Sequence, residues 1–458
     1  MILLLAGLTA CNKLLDVPPP PNEIVTDKVF KDSASAITAL SSIYGGMVTH
    51  PQFEWSGLSF FAARSADEAE TDYINEVDFF ARDSVPYDYY EVVEAWMQGF
   101  SSLLMINTCI KGLQSSNSLS AALHSQLLGE SLFSRAFVNF YLVNLWGDAI
   151  PLITDPDVHL NQLAKSVPRQ RVYDQIVADL LRAQGLLTPA YPSEGRVRPN
   201  LMAADALLAR VYLYMGRYSD AITQASTVIN SNLYTPLPAV DATFLQSSRE
   251  AIWQLIPPVD ENKVRQPVGD VLVYRGSSAS LTPQLLAAFE PDDLRRQSWV
   301  ADNEMDDTVY TTANKYKSYN DDPVNTPDEY YIVLRLAEQY LVRAEAGVRL
   351  GQIGAAVADL NVVRARAGLP ALPADLTPSE CMAAVEQERR VELFTEWGHR
   401  WLDLRRWPGI TNPNLTRADE VLGAIKPDWQ PTDKWYPVPQ QELQINPFLV
   451  QNPGYPTQ

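Results

Sequence analysis

The chain has 458 residues, of which 46% are hydrophobic and 20% are charged, a composition typical of folded domains rather than of disordered chains. Its 36 basic and 55 acidic side chains give a net charge of −19, which argues against binding to nucleic acid or to an anionic lipid surface through a basic face. Three cysteines in a chain of this length exclude a disulfide scaffold.

The N-terminus carries an uncharged apolar run over residues 1–10 that ends at Cys11. The run is too short to span a bilayer as a helix, which takes about 20 residues. It matches the apolar core and cleavage zone of a secretory signal, although the usual basic start is missing. Leu8-Thr9-Ala10-Cys11 looks like a bacterial lipobox, so we expect Cys11 to be lipidated and the prolines at 18–21 to form a stiff spacer. The alternative is a buried helix end with a chance cysteine.

Helical periodicity dominates the body of the chain. Apolar residues at the spacing of one helix face predict helices over Ser33–Val48, Tyr90–Leu113 and Leu127–Trp146. Gly147 and Pro151 follow the third helix as stop signals. The two remaining cysteines, in apolar helix-like surroundings, are expected to be buried free thiols rather than partners in a long-range disulfide.

Two segments have the spacing of tetratricopeptide helical pairs. Residues 201–230 carry small and aromatic residues around Gly216, and residues 333–369 repeat part of that pattern around Gly351. Two imperfect copies more than a hundred residues apart do not predict a regular solenoid. They predict scattered helical pairs with large insertions between them.

Two insertions, over residues 51–89 and 257–329, are aromatic, acidic and rich in turn-forming residues, with little sustained period. A Tyr or Trp ring can cover the apolar face of a pyranose, while Asp, Asn and Arg bind its hydroxyl edge. The insertions therefore predict a sugar-binding face, although any single aromatic residue could instead pack its loop onto the scaffold. The candidates are Asp72, Tyr73, Asn75, Tyr274, Arg275, Trp299, Tyr310, Asn314 and Tyr316.

Several segments, in order along nearly the whole chain, resemble the SusD/RagB family of outer-membrane nutrient-binding lipoproteins. They are the lipobox, the loop at 65–68, the arginine-bearing helix and stop at 129–152, the late helix at 385–407 and the closing segment at 435–455. The resemblance implies an all-α scaffold of tetratricopeptide-like pairs with loop-rich insertions forming the ligand face. It also implies a non-catalytic lid on the cell surface that passes oligosaccharides, or in some members peptides, to a SusC-like TonB-dependent transporter.

These features divide the chain into five expected parts. They are a signal peptide (1–10), a lipidated N-terminus and tether (11–32), an N-terminal helical region (33–256), a loop-rich ligand-binding insertion (257–330) and a C-terminal SusD/RagB region (331–458).

The most enzyme-like feature is the stripe of Glu388, Glu392 and Glu396 on one helix face. The paired carboxylates of a glycosidase flank the scissile bond about 5 to 9.5 Å apart, whereas residues four apart on a helix project in the same direction. A structural ion-pair network is therefore the better interpretation. Its expected members are Arg135, Glu388, Arg389, Arg390, Glu392 and Arg400.

No metal or cofactor is expected. Residues 302–307 begin like a calcium loop, but Asp307 stands where glycine is required and Ala313 where glutamate is required. We interpret this segment as a solvated acidic loop, with a loose calcium contact as the alternative. Two rivals to the lid function stay open: a tetratricopeptide-type scaffold that grips another protein, and a lipid-anchored glycoside hydrolase.

Overall fold

The computed structural model describes residues 29–48, 57–71, 77–257, 259–260, 263–264, 280–305, 307–317 and 329–457. Cys11 and the tether therefore lie outside the described residues. Within them the chain is predominantly helical, as the sequence predicts. No helix in these ranges has both the length and the apolar character needed to cross a membrane.

The helices follow one another along most of the described chain. In order they are α1 (Ser33–Gly46), α2 (Gly57–Ser65), α3 (Tyr90–Ser115), α4 (Ala121–Trp146), α5 (Val158–Asn161), α6 (Arg169–Gln184), α7 (Leu201–Tyr214), α8 (Tyr218–Asn230), α9 (Pro283–Leu286), α10 (Leu294–Ser298), α11 (Leu336–Arg349), α12 (Ile353–Arg366), α13 (Pro378–Leu393), α14 (His399–Arg406), α15 (Arg417–Ile425) and α16 (Gln440–Ile445).

The three helices predicted from periodicity are confirmed as α1, α3 and α4. Helix α4 begins six residues earlier than predicted because the Ser120 side chain accepts a hydrogen bond from Leu123 N and caps the helix there. From Leu127 to Trp146 every residue of α4 is buried, which makes this helix the centre of the hydrophobic core. Cys109 and Cys381 are buried free thiols, as expected.

Both tetratricopeptide-like segments are confirmed as helical pairs, α7 with α8 and α11 with α12. Gly216 and Gly351, which the sequence aligned, occupy equivalent turns with φ of +70° and +74°, a conformation that favours glycine. Helix α8 packs against α11, so the two pairs are neighbours in space although more than a hundred residues separate them. The segment between them leaves the scaffold and returns to it.

The structure differs from the expectation that residues 51–89 lack regular structure. Helix α2 lies in this insertion, and all nine of its residues are buried. A helix that is surrounded on every side needs no polar face, so its sequence shows no amphipathic period.

The strands lie mainly in and around the second insertion. They are β1 (Ala69–Glu70), β2 (Ala251–Leu255), β3 (Val259–Asp260), β4 (Lys263–Val264), β5 (Ser280–Leu281), β6 (Val300–Met305), β7 (Thr308–Ala313) and β8 (Tyr331–Arg335). Strands β2 and β8 form a buried antiparallel ribbon where the second insertion leaves and rejoins the scaffold. Strands β1, β5, β7 and β6, in that order, form a four-stranded sheet.

Candidate ligand-binding face

The four-stranded sheet joins the two insertions. Strand β1 belongs to the first insertion, and β5, β6 and β7 belong to the second. The antiparallel register places Glu70 opposite Ser280, and Ser280 opposite Thr312. Directly opposed residues in a sheet project from the same face. The sequence predicted that the two insertions would form one face, and this sheet is the element through which they do so.

One face of the sheet carries a group of polar side chains. Tyr310 lies two residues from Thr312 on β7 and opposite Asn303 on β6, so these side chains share the face of Glu70 and Ser280. Asn303 Nδ2 donates a hydrogen bond to Thr312 Oγ1 at 2.7 Å, which fixes the amide beside the half-buried Tyr310 ring. We call Glu70, Ser280, Asn303, Tyr310 and Thr312 the polar sheet face.

On the polar sheet face, Glu70 is exposed and Asn303 and Tyr310 are half-buried, so a carboxylate, an amide and an aromatic ring reach solvent, whereas Ser280 and Thr312 are buried beneath them. This is the set of groups that binds the apolar face and the hydroxyl edge of a sugar. Of its five residues, only Tyr310 was among the sequence candidates. The alternation of side chains along 308–313 could have revealed β7, but nothing local shows that Glu70 and Ser280 pair with this hairpin.

Five sequence candidates lie outside the described residues. Asp72, Tyr73 and Asn75 follow β1 in the sequence, and Tyr274 and Arg275 precede β5. Their role in ligand binding therefore stays a prediction.

Trp299 and Tyr316 occupy the interior and not the ligand face. Trp299 is 1% exposed, and its indole Nε1 donates to Val240 O at 2.8 Å. Tyr316 is 3% exposed, and its hydroxyl accepts a hydrogen bond from Ile332 N at 3.1 Å. Because neither ring offers a face to solvent, the expectation that they form sugar platforms is corrected to a packing role.

Asn314 is half-buried at the end of β7, where its amide donates to Ser298 O at 3.3 Å. This bond ties the base of the hairpin to the end of α10. The structure thus places Tyr310 on the polar sheet face and Asn314 at the foot of the same strand.

The acidic segment at 302–307 is not a loop. Its first four residues belong to β6, and Asp307, with φ of +61°, forms part of the turn into β7. Thr311 Oγ1 donates to Asp302 Oδ1 at 2.7 Å across the hairpin, on the face opposite Tyr310. The alternation of exposed and half-buried residues in β6 is that of a strand, which corrects the expected solvated loop. In the described part of the chain, no group of three or more His, Cys, Asp or Glu residues is arranged to hold a metal ion.

The acidic stripe on and after α13 lies in a buried cluster of charges. Glu392 Oε1 accepts hydrogen bonds from Arg335, at 2.5 Å, and from Arg366, while Glu392 Oε2 accepts one from Arg295 at 3.1 Å. Glu388 pairs with Arg295 at 3.0 Å. Glu396 pairs with Arg335 at 2.8 Å, and with Lys315 at 2.5 Å.

This cluster corrects the partners expected for the stripe. Its cations come from α10, β8 and α12, and from the residue after Asn314, rather than from the neighbouring arginines of α13 and α14. Arg389 instead pairs with Asp403 at 2.6 Å, and Arg390 and Arg400 both pair with Asp67. Arg135 forms a separate pair with Asp179 at 2.7 Å. The expected six-residue network is therefore several ion pairs, built from residues that are distant in sequence.

Electrostatics fix the protonation of these groups. Burial alone would raise the pKa of Glu392, but the charges of Arg366, Arg335 and Arg295 hold it well below its usual value. Burial is the main cause that lowers the pKa of Lys315 to about 8, against the pull of Glu396. Glu392 is an anion shared by three cations in the interior, which suits anchoring and not acid–base chemistry on a substrate.

The loop before β1 is fixed by the same kind of contact. Burial would raise the pKa of Asp67, but Arg400 and Arg390 lower it to about 2. Thr282 N donates to Glu68 O at 3.0 Å, and Thr395 N donates to the Glu68 carboxyl at 3.1 Å. Asp67 and Glu68 thus connect the first insertion to the residue after β5 and to the C-terminal helices, and these contacts hold the sheet in place.

Comparisons with known proteins identify the class of this fold. A family model described as "SusD family" matches residues 293–455, and one described as "Starch-binding associating with outer membrane" matches residues 15–213. A solved structure described as a laminarin-binding SusD-like protein superimposes with a TM-score of 0.74 at 23% identity, covering 92% of this chain and 99% of that one. The fold is therefore that of the SusD superfamily.

Relatives found by sequence similarity are also SusD-like proteins. A SusD-like protein of Formosa agariphila is 24% identical over 524 aligned positions, which include 99% of this chain and 98% of the relative. The starch-binding protein SusD of Bacteroides thetaiotaomicron is 32% identical over 154 positions, 31% of this chain and 25% of that protein. Through these two models and these relatives, the chain is similar to SusD-family proteins along most of its length.

Proposed function

We propose that this protein is a surface lipoprotein of the outer membrane that captures oligosaccharides at the polar sheet face without cleaving them. The observation that carries the proposal is the sheet itself. Residues of both insertions meet in this sheet, where the exposed Glu70 carboxylate lies on the same face as the half-buried Asn303 amide and Tyr310 ring, and buried ion pairs hold the loop before β1. Starch and laminarin, named for two relatives, are both neutral glucans, so glucan oligosaccharides are the first ligands to test.

Binding without cleavage is supported by the state of the acidic stripe. Glu388, Glu392 and Glu396 are buried and engaged with arginine and lysine, so they do not flank a groove that a sugar chain could enter. The glycoside hydrolase alternative has no other carboxylate pair among the sequence candidates.

Delivery to a SusC-like TonB-dependent transporter completes the proposal. The lipobox-like sequence at Cys11 supports attachment to the membrane through lipid, and one family description associates its members with the outer membrane. A lid of this kind requires ligand capture and a membrane anchor, and does not require bond cleavage.

Calorimetric titration tests the proposal. The protein is titrated with maltohexaose, laminarihexaose and, as the alternative ligand class, short peptides. We expect heat with at least one glucan, a reduced affinity in Tyr310→Ala and Asn303→Ala, and an unchanged affinity in Tyr218→Ala, a half-buried tyrosine on α8 that serves as the control. Heat with peptides alone would overturn the sugar assignment. Steady shortening of a labelled oligosaccharide during incubation would overturn the claim that binding occurs without cleavage.

A further inference from the structure

Two cavities, of about 730 and 400 Å³, adjoin each other along one side of helix α3. Thr108 lines the larger cavity, and Leu104, about one helical turn earlier, lines the smaller one. On the opposite wall, the consecutive residues Asp157 and Val158 line the larger and the smaller cavity respectively. The two cavities therefore form one continuous groove between α3 and residues 151–162, which we call the α3 groove.

The half of the α3 groove that the smaller cavity forms is apolar. Met97 and Leu104 on α3 and Ile445 at the end of α16 line it, and they are 49%, 37% and 69% exposed. Phe100, which is half-buried, adds an aromatic ring between the two α3 residues. Apolar side chains that are grouped in this way, rather than scattered singly, mark a surface that another chain segment or another protein covers.

The described part of the chain begins at the other end of the α3 groove. Phe30 is buried against the C-terminal turns of α3 and lines the larger cavity. A Cβ at Gly112 would lie 2.2 Å from the Phe30 ring, so glycine lets this ring lie directly on the helix. Ser116 Oγ donates a hydrogen bond to the Phe30 carbonyl and fixes the backbone there. Residues 11–28 therefore join the body of the protein at the mouth of the groove.

The sequence before Phe30 has an apolar edge. In a polyproline helix, which has three residues per turn, Pro18, Pro21 and Ile24 project from the same side. Asn22 and Glu23 belong to the other two sides. Proline-rich segments of this conformation bind apolar grooves with aromatic walls, because they are already extended and lose little conformational entropy on binding.

The length of this segment matches the length of the groove. A polyproline helix spans about 3.1 Å per residue, so Ile24 reaches about 19 Å and Pro21 about 28 Å from Phe30. Along α3, at about 1.5 Å per residue, Phe100 lies about 18 Å and Met97 about 23 Å from the turn on which the Phe30 ring packs. Ile24 can therefore reach the Phe100 ring, and Pro21 can reach Met97 at the far end.

We propose that residues 21–27 of this chain occupy the α3 groove, with Ile24 against Phe100 and Pro21 beside Met97. The apolar surfaces of the segment and of the groove then cover each other, which removes both from water. Only the residues before Pro21 are left as a spacer between the body and Cys11. The inference goes beyond the sugar-binding role. Its consequence, a short and fixed distance between the body and the membrane, rests on the proposed lipid anchor.

Methyl NMR of the methionine residues tests the docking, because Met97 lies in the groove. The chain from residue 11 onward, with Cys11→Ala to keep it in solution, is labelled at the methionine methyl groups. A soluble gadolinium chelate then measures how accessible each methyl group is. Met105, which is exposed on α3 outside the groove lining, and the buried Met202 give the two limits of accessibility.

Two variants of the segment complete the experiment. Ile24→Asp places a charge on the apolar edge, and Asn22→Asp places the same charge on another edge as the matched control. Replacing a buried isoleucine by a charge should lower the ratio of docked to free segment by roughly tenfold or more. We therefore expect Met97 to be shielded from the chelate in the parent and in Asn22→Asp, and to relax like Met105 in Ile24→Asp.

Three results would overturn the inference. Met97 could be accessible already in the parent, it could stay shielded in Ile24→Asp, or it could become equally accessible in both variants. Shielding that grows with protein concentration would also contradict it, because a second copy of the chain would then cover the groove. Failure of the lipid anchor gives a different result, namely a protein with Cys11 that takes up no palmitate, whatever the state of Met97.

Discussion

Truncation of two aromatic residues of the second insertion, Trp299 and Tyr310, should have opposite effects. Trp299 is buried against Phe244, with ring centroids 5.3 Å apart, and the Arg366 guanidinium lies 5.0 Å from its ring centroid. Tyr310 is half-buried on the polar sheet face. Trp299→Ala is therefore expected to act on stability, and Tyr310→Ala on ligand binding.

The magnitude for Trp299→Ala follows from its burial. Deleting a buried Trp or Phe side chain costs about 3–5 kcal/mol, because contacts are lost and a cavity is left behind. Val240 O would also lose the indole donor at 2.8 Å. With an unfolding entropy of about 2.1 cal/mol/K per residue, the melting temperature of a 458-residue chain should fall by roughly 3–5 °C.

Differential scanning calorimetry and glucan titration of both variants provide the assay. Tyr310→Ala should lower the melting temperature less than Trp299→Ala does, since the Tyr310 ring is only half-buried, and should bind glucan more weakly. Trp299→Phe, which retains a ring in the interior, should recover part of the lost stability. A Trp299→Ala protein that melts like the parent but no longer binds glucan would refute this reasoning, because it would show that Trp299 contacts the ligand.

Three further predictions concern the buried charges and the anchor. Glu392→Gln should lower the free energy of unfolding by about 3–5 kcal/mol in urea titrations, because it leaves buried arginines without their anion, whereas the exposed Glu304→Gln should not. The pKa of Asp67 in the folded protein is about 2, below its usual 3.8, so the ionised carboxylate stabilises the fold above pH 4. This contribution of about 2 kcal/mol is lost as the pH falls toward 2 and the carboxylate is protonated. Acid unfolding of Asp67→Asn should lack that step; an unchanged acid limb would contradict the assignment. Cys11→Ala should abolish labelling by palmitate and release the protein from membranes, whereas retained label would place the anchor elsewhere.

The sequence predicted those parts of the fold whose signal is local. The periodic helices α1, α3 and α4, and the glycine-centred pairs around Gly216 and Gly351, needed only spacing and turn chemistry. Helix α2 escaped detection because burial on every side removes the amphipathic period.

The candidate site could be predicted only in part, because its elements pair over long distances. Strand β1 is two residues long, and its partner β5 lies about two hundred positions away, so no local pattern reveals the sheet. The cations around Glu392 likewise come from positions 295, 335 and 366, whereas the sequence suggested its near neighbours. A Trp in a loop-rich insertion is a reasonable candidate for stacking on a sugar ring, and only its burial in the structure assigns Trp299 to the core.

The most direct test of the central claim is a crystal structure of the protein soaked with laminarihexaose or maltohexaose. The account predicts an intact oligosaccharide on the polar sheet face, with a sugar ring against Tyr310 and hydroxyl groups within hydrogen-bonding distance of Asn303. A glycan that occupies only a groove between scaffold helices, or a chain cleaved beside Glu392, would contradict it.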